Sequence, residues 1–368
     1  MKLLPRFPTA LGVALAAACV VGVLVSCSNL SDDPLAPAES SGPAYTAVNP
    51  EMRAAIAVQE AHTPGLMANP EVVGTAVTLT DDGRPAVLIL LLSDLGLATA
   101  PKELDGLPVI TQVTGPITAY KGGGGGADHK ARQARPIQLG VSGGNALDYA
   151  NGYCCSGTLG ALVQGGSQQY ILSNSHVFAG DITGSQQAEL NDPINQPGLI
   201  EVNCQNLAND YVANLSTLSS IEPGSNSNVD ASLAKVIAGK VRTDGTILEV
   251  GTISSQTIAA SVNQAVKKSG RTTGLTRSSV SGLNATINVG YSYECGGASY
   301  TKTFSGQILI ANRANRFLAG GDSGSLMVQD VSTNPKAIGL LFAGGNNIAV
   351  ANPINEVLSA LNVTMVGQ

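Results

Sequence analysis

The rhythm of apolar and polar positions changes several times along the chain. Ala10 to Val25 is an unbroken apolar run of 16 residues behind Lys2 and Arg6. It is shorter than the roughly 20 residues a membrane-spanning helix needs, and it has the layout of an export signal. Residues 28–48 are rich in Ser, Pro and acid without periodicity, which predicts an extended tether. After Pro50, Met52, Ile56 and Ala57 fall on one helical face and predict a helix over Glu51–His62. Strand-like runs follow at Val72–Leu79, Pro85–Leu92 and Leu107–Val113, with Asp81-Asp82-Gly83 as the turn between the first two. Five successive glycines, Gly122–Gly126, carry too much backbone entropy for a packed element and mark a boundary.

From about Arg132 onward, short β-type runs alternate with Gly, Ser and Asn turns. Thr158–Val163, Gln169–Ser173, Ala231–Ile237, Thr286–Val289, Gly306–Ile310, Ser325–Val328 and Ile338–Phe342 are examples. This spacing predicts a mainly β barrel or sandwich. Helical rhythm returns only at Ile354–Leu361. The predicted order is a signal (1–26), a tether (27–48), a small α/β domain (49–120), a Gly-rich linker (121–132) and a β-rich domain (133–368).

Composition narrows the function classes. Hydrophobic residues make up 43% of the 368, which excludes a disordered chain. Charged residues are 12%, about half the usual share, and 20 basic against 26 acidic residues leave a net charge of −6. No basic stripe is present, so nucleic acid is not an expected partner. No nucleotide-binding fingerprint, EF-hand or H-E-x-x-H string occurs, and no cofactor or metal is expected. The apolar run ends in Leu24-Val25-Ser26-Cys27, which resembles a bacterial lipobox. That resemblance implies a lipid on Cys27 and a membrane-anchored, extracytoplasmic protein. Export permits disulfides among Cys154, Cys155, Cys204 and Cys295; neighbours rarely bridge, and the two crossed pairings stay open.

Three segments carry candidate chemistry. Gly320-Gly321-Asp322-Ser323-Gly324-Ser325 offers a hydroxyl on a turn whose glycines let successive N–H groups converge. The amides of Gly321 and Ser323 are the candidate oxyanion donors. Ser173-Asn174-Ser175-His176-Val177 ends a strand in a His, the usual base for a serine nucleophile. His62 and His129 lie outside the barrel-like region. An acid to orient the imidazole is sought among Asp181, Asp192, Asp210, Asp230, Asp244 and Asp322. Asp230 suits best, because it opens the apolar run Val229–Ala234 and a buried acid there needs a partner.

The order His, Asp, Ser is that of the chymotrypsin superfamily. Lys268-Ser269-Gly270-Arg271-Thr272-Thr273-Gly274, Leu283–Asn288, Gly320–Gly324 and Ala337–Gly345 together resemble streptogrisins and α-lytic-type proteases over residues 135–365. The resemblance implies two six-stranded antiparallel β-barrels with a cleft between them. It also implies a Ser323–His176–Asp230 triad and a peptide or protein substrate. The resemblance further implies that Phe317, six residues before Ser323, lies near the base of the primary pocket. An apolar or small residue before the scissile bond is therefore expected. The strand Phe342-Ala343-Gly344 is expected to pair with the substrate backbone. Arg271 is the expected partner of Asp322. Val177 stands where relatives carry Cys, Ser175 where they carry Ala or Gly, and Ser325 where they carry Gly. A folding aid or inhibitor is the role the resemblance suggests for the leading region, against a spacer or partner-binding module. Two rival readings are a catalytically silent binding module or adhesin, and an esterase using the same residues.

Overall fold

The computed structural model describes residues 46–119, 127–150, 152–179, 187–292 and 299–368. The signal, Cys27, most of the tether, the five-glycine run, Asp181 and Cys295 lie outside the described residues. No helix among the described residues is long and apolar enough to cross a membrane.

The fold is mainly β and holds two antiparallel barrels. In the first, Val141–Asn145 pairs with Gly157–Leu159, and that run continues past Gly160 as Ala161–Gly165. Ala161–Gly165 pairs with Gln168–Ser173, which pairs with Ser232–Val236. Tyr211–Leu218 and Pro193–Asn195 complete the circuit back to Val141–Asn145. The buried residues of these strands belong to one apolar cluster that includes Leu159, Leu162, Ile171, Leu172, Leu215 and Leu233.

The second barrel closes in the same way. Ala265–Gly270 pairs with Gly274–Ser292, then Ser299–Asn312, Asn347–Pro353, Ala337–Gly345 and Leu326–Gln329 follow in order, and the last returns to Ala265–Gly270. Gly274–Ser292 is 19 residues long and has length to spare. Its remaining edge takes Val72–Leu79 as an antiparallel neighbour. Pro85–Leu91 and Leu107–Val113 extend the same sheet, and these two run parallel. The strands of the leading region are thus hydrogen-bonded into the sheet of the second barrel.

The leading helix spans Pro50–Met67, longer than the predicted Glu51–His62. Asn49 caps it by accepting from the Glu51 and Met52 amides. The added turns run through Pro64. Buried Gln59 explains part of this. Its amide donates to Thr63 and to Thr75 on the adjacent strand, tying the last turns to the sheet. Met52 and Ala55 pack with Val77, Val280 and Leu283.

The barrels meet at Gly160 and Gly157. A Cβ at Gly160 would lie 2.0 Å from the carbonyl oxygen of Gly324, so the turn around Ser323 sits directly on the first barrel. Cys154 and Cys204 form a disulfide within the first barrel's loops, and Cys155 is likewise disulfide-bonded. Such bonds fit an oxidising, extracytoplasmic compartment.

Candidate active site

His176 lies in the helical turn Ser175–Phe178, directly after the strand Gln168–Ser173. The polar residues around it bond across to the segment that opens at Asp230, with Asn174 Oδ1 left without a partner among the described residues. Asn174 Nδ2 donates to the Asp230 carbonyl at 2.7 Å, and Ser175 Oγ donates to the Ala231 carbonyl at 2.7 Å. Ser232 Oγ donates back to the Asn174 carbonyl at 2.8 Å. These three bonds rivet the His turn to the start of Ser232–Val236. They give each polar residue before His176 a local task.

Asp230 is completely buried. Its Oδ2 lies 2.5 Å from His176 Nδ1, and its Oδ1 accepts the His176 backbone N–H at 3.2 Å. Since a carboxylate oxygen accepts, the Nδ1 side of the ring is the donor in this contact. Tyr291, from the second barrel, donates its hydroxyl to the same Oδ2 at 3.0 Å. Burial and the Asp230 charge push the Tyr291 phenol well above its ordinary value, so it remains a donor. Asn352, also from the second barrel, accepts from the Asp230 amide at 3.2 Å. Both of these residues escaped the sequence reading. A Tyr at the end of a long strand has no local mark that distinguishes it from core.

The other candidate acids are placed elsewhere. Asp210 takes a bidentate pair from Arg132 at 2.6 and 2.7 Å. Asp244 pairs with Arg242, which lowers its carboxyl to about 2. Asp192 accepts from Asn145.

Ser323 sits on a tight turn in which Gly321 and Gly324 both have left-handed backbones, φ 94° and 93°. Asp322 N–H donates to Ala319, Gly324 N–H to Leu341, and Ser325 N–H to Asp322. The turn is pinned to the first barrel by two bonds from Thr158: its N–H to the Ser323 carbonyl and its Oγ1 to the Gly321 carbonyl, both at 2.9 Å. A Cβ at Gly157 would stand 2.6 Å from Val177 Cγ2 and 3.2 Å from the Ser323 carbonyl oxygen. The Ser323 turn and the residue after His176 therefore flank the same glycine. The Ser323 hydroxyl donates to the Phe342 carbonyl at 3.3 Å. His176 Nε2 is buried without a hydrogen-bond partner among the described residues.

Asp322 is caged. Its carboxylate accepts from the amides of Thr272, Thr273 and Ala319 and from Thr273 Oγ1, at 2.7–3.1 Å. The cation beside it is Lys268, 3.3 Å away, with both side chains fully buried. This corrects the expectation of Arg271, whose guanidinium ion-pairs with Glu201. Burial pushes the Lys268 amine below its ordinary value, and the Asp322 charge opposes the shift.

Phe317 is buried, and its amide and that of Leu318 both donate to Asn312 Oδ1 at 3.0 Å. Phe342 is fully buried with its ring edge-on to Phe304 at 5.1 Å, and Ala343 is buried beside it. The Gly344 amide and carbonyl bond to Thr118. No group of three or more His, Cys, Asp or Glu among the described residues is arranged for a metal ion.

Residues 226–353 match the family model of the Nal1 C-terminal domain. Among solved structures, the chain is similar to a glutamic-acid-specific serine protease, with 20% identity, 62% of this chain and 100% of that one covered, and a TM-score of 0.40. It is also similar to Thermobifida fusca protease A, at 18% identity over 63% of this chain and 99% of that one, with a TM-score of 0.41. Cellulomonas bogoriensis chymotrypsin is a third, at 18% identity over 63% and 99%, with a TM-score of 0.40.

Proposed function

We propose that the chain is a serine endopeptidase. One observation carries the reading: a fully buried carboxylate grips both the backbone and the Nδ1 of His176 and leaves Nε2 without a hydrogen-bond partner among the described residues, while the next residue, Val177, and the Ser323 carbonyl both flank Gly157. In this mechanism Ser323 Oγ swings from the Phe342 carbonyl, attacks the peptide carbonyl and passes its proton to His176 Nε2. Asp230 holds the imidazolium that forms. The amides of Gly321 and Ser323 receive the charge on the tetrahedral oxygen. His176 then protonates the leaving amine, and water resolves the acyl-enzyme by the reverse path. In this proposal Phe317 is the base of the primary pocket; its apolar, buried side chain supports an apolar or small residue before the scissile bond.

A fluorophosphonate probe tests this directly. It should label the wild type on Ser323 and leave Ser323→Ala unlabelled. Equal labelling of both, or of neither at millimolar probe, rejects the assignment. A catalytically silent binding module is the second reading. It is favoured by the near-complete burial of His176 and Ser323, at 2% and 3% exposure, and by the Ser323 bond to Phe342 rather than to His176.

The reading extends to location. Cys27 carries a lipid and tethers the enzyme to the envelope. Labelled palmitate should enter the wild type and not Cys27→Ala, and the variant should appear in the soluble fraction. Palmitate on both proteins would remove the anchor from the proposal.

A further inference from the structure

The strand Ala337–Gly345 presents Gly344 where a substrate backbone is expected to pair, and that place is occupied. Thr118 donates its N–H to the Gly344 carbonyl and accepts the Gly344 N–H, each at 2.9 Å, the reciprocal pair of an antiparallel bridge. On the other flank, Ala119 donates to the Gly290 carbonyl at 3.1 Å, and Gly290 donates to the Ile117 carbonyl at 2.9 Å. Residues 117–119 thus lie as an added strand between two strands of the second barrel. Thr114 accepts from Asn346 N–H at 2.8 Å and holds the entry. Ile117 is 2% exposed and belongs to the apolar cluster of Phe342, Ala343 and Ile348. Because the Thr118–Gly344 bridge is antiparallel, the run from Ile117 to Ala119 heads toward Phe342. The carbonyl of Phe342 is the one that holds the Ser323 hydroxyl.

We infer that residues 114–119 are an internal peptide seated in the candidate substrate cleft, so that the resting protein is self-occupied. The cleft then takes an extended peptide with an apolar side chain at the Ile117 position and small ones at the next two, and an outside peptide enters only when this strand leaves. The inference rests on the protease reading for its catalytic meaning, but not for the occupancy itself. Two features make the strand releasable. Its pairings are isolated bridges rather than a continuous ladder, and they are interrupted by Pro116, which has no N–H, and by Gly115 with φ 64°. Thr118 Oγ1 is also buried without a hydrogen-bond partner among the described residues, an unmet group that opposes seating.

The test uses the full chain as wild type, Ile117→Asp and Thr118→Val, with Ile117→Ser as a milder variant should Asp unfold the sheet. Two probes are applied: the rate of fluorophosphonate labelling, and binding of a fluorescent synthetic peptide with the sequence of residues 110–119. If the open state is a minor one, Ile117→Asp should label at least ~10-fold faster than wild type, and Thr118→Val more slowly. The peptide should bind Ile117→Asp saturably and wild type at least ~10-fold more weakly. Equal labelling rates and equal peptide binding across folded variants overturn the inference while leaving the protease intact. Peptide binding confined to the released variants, with no labelling of any protein, keeps the occupancy and sinks the catalysis.

Discussion

Asp230→Asn should leave the barrels folded and lower kcat/KM on a peptide substrate by about ten-thousand-fold, with most of the loss in kcat. The reason lies in the donor count at this carboxylate. Asp230 receives the His176 backbone N–H on Oδ1, and His176 Nδ1–H and the Tyr291 hydroxyl on Oδ2. An amide has one accepting oxygen and one donating nitrogen. If the oxygen faces Tyr291 and Nδ1, the nitrogen faces the His176 N–H, donor against donor. If the amide flips, its NH₂ meets Nδ1, and the imidazole moves its proton to Nε2. The nitrogen that must take the Ser323 proton is then already protonated. Tyr291→Phe removes only one of three donors and should cost a few-fold. Steady-state kinetics on both variants check the order of effects. A fall of less than ten-fold in a folded Asp230→Asn protein would show that Asp230 does not orient a catalytic imidazole.

The His176–Asp230 contact was legible because both ends carry local marks. A strand that runs into a His, and an acid that opens an apolar run, each demand a partner. The mainly β architecture was legible for a similar reason, since short β-type runs between Gly and Asn turns recur at strand spacing, whereas the pair of barrels followed only from the resemblance. What stayed hidden is what depends on distant pairing. The edge of Gly274–Ser292 binds Val72–Leu79, about two hundred residues earlier. Nothing in either run names the other. Tyr291 and Asn352 reach Asp230 across the barrel interface, and their sequence neighbourhoods read as ordinary strand. Arg271 was expected beside Asp322 because of the Gly270-Arg271-Thr272-Thr273-Gly274 match, and Lys268 was not considered. Yet every residue from Val266 to Gly270 is buried, and Lys268 is the one whose stem reaches Asp322. Period-two reasoning assumes one wet face, and this strand has none.

Lys268→Met should lower the melting temperature by roughly 6–12 °C and cut activity along with it. Removing one partner of a buried ion pair typically costs about 3–5 kcal/mol. The low end applies here, because the Asp322 carboxylate keeps four donors from Thr272, Thr273 and Ala319. At about 2–4 °C per kcal/mol for a domain of this size, about 3 kcal/mol gives the stated shift. The activity loss follows from position, since Asp322 stands between the two amides proposed to hold the oxyanion and Lys268 acts only through it. A double-mutant cycle with Asp322→Asn isolates the pair: the double variant should be less destabilised than the sum of the singles by at least ~1.5 kcal/mol. The pH dependence has a definite sign. Burial lowers the Lys268 amine from its ordinary 10.5, and the Asp322 charge opposes the shift. Between the depressed folded value and 10.5 the unfolded chain holds more protons, so this group makes stability rise with pH. Lys268→Met should abolish that alkaline rise. Additive single effects in the cycle, or an alkaline slope unchanged by the substitution, would show that Lys268 does not buttress the Ser323 turn through Asp322.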